Sequence, residues 1–237
     1  MKKSKSYFIS ASIKQTGSDI QEEADWTAID RRNFMMEYSS PRGKTCLSLG
    51  CGLGRFLNAY IKHGSNFVVG VDLNRQNLLY CKRYRPLLVL ADVQNLPFNQ
   101  KTFDVIDCEA VTCHLPNPEE ALKEIERVSK WKAVSFVDWH NYRWINFYKS
   151  KTIRFRLIFY IRDLIVDAIG LGNVIEKLTF NKNKILRSIA YSYGNYQNGG
   201  FSFERIQKFY HASHLKIKEV KLYEHVVFIT SQTFKKY

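Results

Sequence analysis

Three glycines at alternate positions, in Cys46-Leu-Ser-Leu-Gly50-Cys51-Gly52-Leu-Gly54-Arg55, carry the plainest chemical signal in this chain. Glycine lets backbone approach a ligand closely, and a helix starting directly afterwards offers free N–H groups. The dinucleotide fingerprint requires a further glycine where Arg55 stands, which argues against a nicotinamide cofactor. Two acids extend the pattern. Asp72 closes the run Val69-Gly-Val71-Asp72, just before Leu73, where a carboxylate can accept from both hydroxyls of an adenosine ribose. Asp92, in Leu90-Ala-Asp92-Val93-Gln-Asn-Leu-Pro97-Phe98, falls where an acid would receive an exocyclic adenine amine. The bland alternative is a strand-to-helix turn without a ligand, with Asp72 and Asp92 as N-caps of the following helices.

A second set of candidates lies further along. His114 has the pH range of a general base, but it precedes Leu-Pro and could simply close a turn. Asp107 and Glu109 could be paired acid/base carboxylates, although alternation suggests opposite faces with one of them solvated. Asp138 and His140, in Asp138-Trp139-His140-Asn141, end an apolar run where a substrate-facing base would sit, and loop capping explains them equally well.

The elements that must position these residues alternate regularly. Apolar runs at 45–49, 67–72, 87–92, 103–108 and 133–138 are separated by helical patterns at 52–63, 74–84 and 118–129. That rhythm predicts a parallel sheet with helices on both faces. An amphipathic helix over 22–38 precedes it, and a helix at 203–213 with two alternating strands closes it. Residues 141–200 break the rhythm. The division expected is an arm and helix at 1–40, a core at 41–140, an inserted cap at 141–200 and completion of the sheet at 201–237.

In ordered combination, LSLGCGLGRF, VVGVDLN, LADVQNLPF and FDVIDCEAVTCHLPNPEEALKEIERV resemble class I S-adenosylmethionine-dependent methyltransferases, most closely the branch with ubiquinone/menaquinone C-methyltransferases. The resemblance runs from about Lys44 to Asp138. It implies a Rossmann-like, doubly wound seven-stranded sheet whose last strand pair is antiparallel, with a cap inserted after the fifth strand. It also implies S-adenosyl-L-methionine as cofactor. Gly50, Cys51, Gly52 and Gly54 would wrap the methionine part, Asp72 with Leu73 the ribose, and Asp92 with Val93 the adenine. The segment from Glu109 to His114 would line the methyl-donor site. Two positions depart from the family pattern. Ser48 stands where an acid usually helps to orient the methionine amine, so Ser48→Asp is expected to tighten cofactor binding. Lys130-Trp131-Lys132 replaces a Pro-Gly-Gly turn. The function implied is methyl transfer to a small-molecule or lipidic acceptor, with RNA methylation or a non-catalytic binding module as alternatives.

Composition bounds these readings. A hydrophobic share of 45% excludes wholesale disorder, and a formal net charge of +14 favours acidic partners such as RNA or anionic lipid. Five cysteines without a C-x-x-C pair read as buried thiols of a cytoplasmic protein, and no metal site is expected. The stretch 153–172 is interrupted by Arg154, Arg156, Arg162, Asp163 and Asp167, so it does not span a membrane. Peripheral contact with anionic lipid is open to it, while a substrate cap or a dimer contact is the favoured reading.

Overall fold

The computed structural model describes residues 26–112, 115, 117–140, 203–223 and 226–233. Five strands run parallel: β1 (Thr45–Leu49), β2 (Phe67–Asp72), β3 (Leu87–Leu90), β4 (Phe103–Cys108) and β5 (Ser129–His140). Their Val-, Leu-, Ile- and Phe-rich runs suit strands covered on both faces. β6 (Leu215–Tyr223) and β7 (Val226–Thr233) complete the order β3-β2-β1-β4-β5-β7-β6, with β7 antiparallel to both β5 and β6. This is the seven-stranded architecture, with its antiparallel closing pair, that the sequence implies.

Helices cover both faces. α1 (Trp26–Ser39), α2 (Arg55–Lys62) and α3 (Arg75–Cys81) form one layer; Met35, Phe56, Leu57, Tyr60 and Leu78 pack there with Cys46, Val68, Val105, Phe136 and Phe228. α4 (Pro118–Val128) and α5 (Phe203–Ala212) form the other, where Leu122, Ile125, Ile206 and Phe209 meet Leu47, Val71, Ile106 and Trp139. Each large apolar side chain so buried contributes about 1.5–3 kcal/mol. Strand alternation sends Leu47 and Leu49 to the second layer and leaves Cys46 and Ser48 facing the first. α1 is held by Phe34, whose ring meets Phe136 and Phe228 edge-on at centroid distances of 6.3 and 6.1 Å.

Two differences from the sequence reading bear on the site. β3 stops at Leu90, because Asp92 closes a turn: its carboxylate accepts from Gln94 N at 3.1 Å and its carbonyl from Asn95 N at 2.9 Å. β5 starts straight from α4 at Ser129, so Lys130-Trp131-Lys132 is a bulged strand start instead of a turn. Lys132 takes a left-handed φ of 63°, the register against β4 shifts between Phe103 and Val105, and Lys130 Nζ anchors on Asp104 Oδ2 at 2.8 Å. The expected arm and the cap at 141–200 lie outside the described residues.

Candidate functional site

β1 lies between β2 and β4, and the strand order reverses there, so the carboxyl ends of these strands flank the crevice where open α/β sheets take ligands. Gly50, Gly52 and Gly54 have φ of +61°, +51° and +85°, a region that L side chains avoid. A Cβ on Gly50 would stand 2.2 Å from Val111 Cγ2, and one on Gly54 2.9 Å from Cys81 Sγ. Those two glycines permit close packing. At Gly52 the nearest atom to such a Cβ is the Gly50 carbonyl at 4.0 Å, so this glycine leaves bare backbone facing open space.

The loop is tied to β2. Cys51 N donates to Val71 O at 2.9 Å, and Cys81 Sγ donates to Gly52 O at 3.2 Å. The Asp72 carboxylate accepts from Gly52 N at 2.8 Å, Asn74 N at 2.7 Å and Asn77 Nδ2 at 3.3 Å. Asp72 is therefore not the N-cap of α3; Asn74 is, accepting from Gln76 N at 2.9 Å. Asp92 caps a turn and no helix follows it. Its loop is clamped onto α4: Arg127 donates to Phe98 O at 2.6 Å and Leu96 O at 2.9 Å, while Leu96 N donates to Glu124 Oε2 at 2.6 Å. Leu73 is half-buried beside Asp72, and Val93 is buried in the core.

On the other side of the crevice, Glu109 is engaged by two cations. Arg31 of α1 reaches its Oε1 at 2.7 Å, and Arg55 at the head of α2 reaches Oε2 at 3.6 Å. Asp138 is 2% exposed and accepts from Ala110 N at 2.7 Å. Burial, reinforced by the Glu109 charge and opposed by Arg31, pushes its carboxyl up to about 7. Thr112 Oγ1 donates to Asp138 O at 2.7 Å and so fixes the segment after β4 against β5. His140 ends β5 opposite Val226, and His114 lies outside the described residues.

Ser48 and Asp107 are register partners on β1 and β4, and Ser48 Oγ donates to Asp107 Oδ1 at 2.8 Å. Asp107 is only 1% exposed and Glu109 is ion-paired, so the expectation that one of the two is solvated is corrected: neither is. Sequence reasoning passed over Arg31, Tyr60 and the Ser48–Asp107 contact. Arg31 had a signal, since it stands three and four residues before Phe34 and Met35 on the apolar stripe, where a charge needs a buried partner.

Residues 47–136 match the family model described as a methyltransferase domain. The fold and the glycine loop agree with that match, and over this region the chain is similar to class I S-adenosylmethionine-dependent methyltransferases. Among curated relatives, cycloartenol-C-24-methyltransferase 1 of Oryza sativa subsp. japonica is 32% identical over 96 residues, which are 37% of this chain and 28% of that protein. The ubiquinone biosynthesis O-methyltransferase of Coxiella burnetii is 27% identical over 106 residues, 42% of this chain and 45% of the relative. The chain thus spans less than half the length of these relatives. Among solved structures, an S-adenosylmethionine-dependent methyltransferase from Mesorhizobium loti superposes with a TM-score of 0.63 at 12% identity, covering 88% of this chain and 99% of the other. Magnesium protoporphyrin IX methyltransferase from Synechocystis PCC 6803, solved with bound SAM, gives 0.62 at 11% identity, covering 97% and 94%.

Proposed function

We propose that the protein transfers a methyl group from S-adenosylmethionine to a small-molecule or lipidic acceptor. The observation that carries this reading is the Asp72 carboxylate joined to Gly52 N at 2.8 Å across the mouth of the glycine loop. The residues suit the donor: Asp72 with Leu73 for the ribose, the Gly50–Gly54 backbone with Cys51 for the amino-acid end, and Asp92 with Val93 for the adenine. Bound there, S-adenosylmethionine would supply an electrophilic methyl carbon on a sulfonium. What remains for the chain is alignment, and positioning of this kind supplies up to about 7–11 kcal/mol of a barrier.

An acceptor hydroxyl or acidic carbon must also lose a proton. Asp138 sits at the carboxyl end of β5 with its carboxyl pushed up to about 7, which suits a general base near neutral pH. His114 and His140 remain the imidazole candidates for the same task. Glu109, neutralised by Arg31 and Arg55, serves to dock α1 and α2 at the rim. The relatives named for cycloartenol and for ubiquinone biosynthesis support an acceptor of lipidic character.

Calorimetric titration with S-adenosylhomocysteine tests the donor site, and incubation with methyl-labelled donor and extracted lipids or quinols tests transfer. Binding with label in the organic phase is the expected result. No binding at millimolar ligand overturns the enzyme reading, and label in RNA would redirect the acceptor.

A further inference from the structure

We propose that Asp107, acting through Ser48, is the positioning residue that fixes the glycine loop for the amino-acid end of the methyl donor. This rests on the donor reading above and names the residue on which its loop geometry depends. Ser48 stands two residues before Gly50, so the direction of its peptide sets where the loop leaves β1. Its hydroxyl is held by Asp107 Oδ1 at 2.8 Å from the adjacent strand, and both residues are 1% exposed. Asp107 Oδ2 and the Tyr60 hydroxyl are also buried, and neither makes a hydrogen bond of normal geometry. They still feel each other: the phenol draws the Asp107 carboxyl down, while the carboxyl pushes the phenol up.

Tyr60 belongs to α2, the helix that begins right after Gly54. Three buried polar groups thus come from the strand entering the loop, the neighbouring strand and the helix leaving the loop, and Ser48 and Asp107 are hydrogen-bonded. An acid here is costly, because a buried oxygen without a partner loses its hydration with no hydrogen bond in return. Its buried neighbours in this layer include the apolar Cys46, Val105, Leu57 and Phe136. Burial, the largest influence on it, holds Asp107 well above the usual carboxylate range. The Ser48 hydroxyl on Oδ1 makes this carboxyl a bracket between the two strands beside the loop.

The test separates the bracket from the fold. The triple variant Ser48→Ala/Asp107→Leu/Tyr60→Phe removes all three groups together, so no orphan is left and stability should hold or rise. The expected result is S-adenosylhomocysteine binding weakened about 10-fold or more. Binding of 5′-methylthioadenosine, which lacks the amino-acid end, should stay within about 3-fold of wild type. The exchanged pair Ser48→Asp/Asp107→Ser rebuilds the hydrogen bond in the opposite direction and should restore S-adenosylhomocysteine binding to within about 3-fold. Three outcomes overturn the inference: a triple variant that binds S-adenosylhomocysteine like wild type, equal loss of both ligands in a folded triple variant, or an exchanged pair that binds as poorly as Asp107→Ser alone. A wild type that binds no S-adenosylhomocysteine at all overturns the donor reading itself, which is a different result.

Discussion

At the scale of single residues, Asp72 holds the mouth of the crevice, and its replacement should be read in binding. Asp72→Ala removes a charged acceptor from Gly52 N and Asn74 N as well as from a ribose. S-adenosylhomocysteine binding should fall by about 1.5–3 kcal/mol, or about 10- to 150-fold, as measured by calorimetry. The expectation for Ser48 is reversed by its surroundings. An aspartate placed alone at 48 would touch the buried Asp107, and two carboxyls in contact resist ionising together. Ser48→Asp by itself should therefore weaken cofactor binding instead of tightening it, and calorimetry decides between the two. Asp138 gives a pH dependence with a definite sign. Its folded-state value is raised, so the folded protein holds the proton more tightly than the unfolded chain, and stability is lost as pH rises from 3.8 to about 7. Asp138→Asn keeps an oxygen for Ala110 N and carries no charge. Its melting temperature relative to wild type should climb across that window and level off above it; a flat difference would sink the assignment.

At the scale of elements, position is set by clamps as much as by strands. The Asp92 turn has no helix behind it and is carried by Arg127 and Glu124 of α4. The pair holds Glu124 below the usual carboxylate range, with the Arg127 hydrogen bond the largest cause. Arg127→Ala should cost about 1–2 kcal/mol of stability, a figure lowered because the side chain is partly solvated. It should also loosen residues 92–98 selectively, seen as faster amide exchange in that loop than in β1. Similar exchange in both would mean the clamp does not position the turn. The strand–helix rhythm and the glycine loop were legible in the sequence because each is local: alternation, run length and residue type within about ten positions carry them. The clamps were not. Arg31 meets Glu109 across 78 positions and Ser48 meets Asp107 across 59, and no periodicity spans such separations. The end of β3 departs from the sequence pattern for a related reason, since apolar residues continue to Ala91 while the hydrogen bonds of Asp92 turn the chain.

At the scale of the whole molecule, the glycine loop and Asp72 sit on described strands and helices, and charge bears on the proposed acceptor. The sheet supplies a rigid frame, its parallel part carrying the glycine loop and Asp72 at one end. No helix among the described residues is long and apolar enough to cross a membrane. A formal net charge of +14 gives a strongly positive field, which raises the local concentration of anionic surfaces and speeds encounter with them. If the acceptor is lipidic, transfer should therefore be faster when it is presented in vesicles containing anionic lipid than in zwitterionic ones. Screening shortens the reach of such a field to about 10 Å at 0.1 M salt and about 3 Å at 1 M, so added salt should erase most of the difference. The measurement is the rate of label transfer at fixed acceptor content, with lipid charge and salt varied separately. Equal rates on both vesicle types at low salt would exclude electrostatic recruitment. Suppression by added RNA at low salt, without any label entering the RNA, would show that the same positive field binds either polyanion.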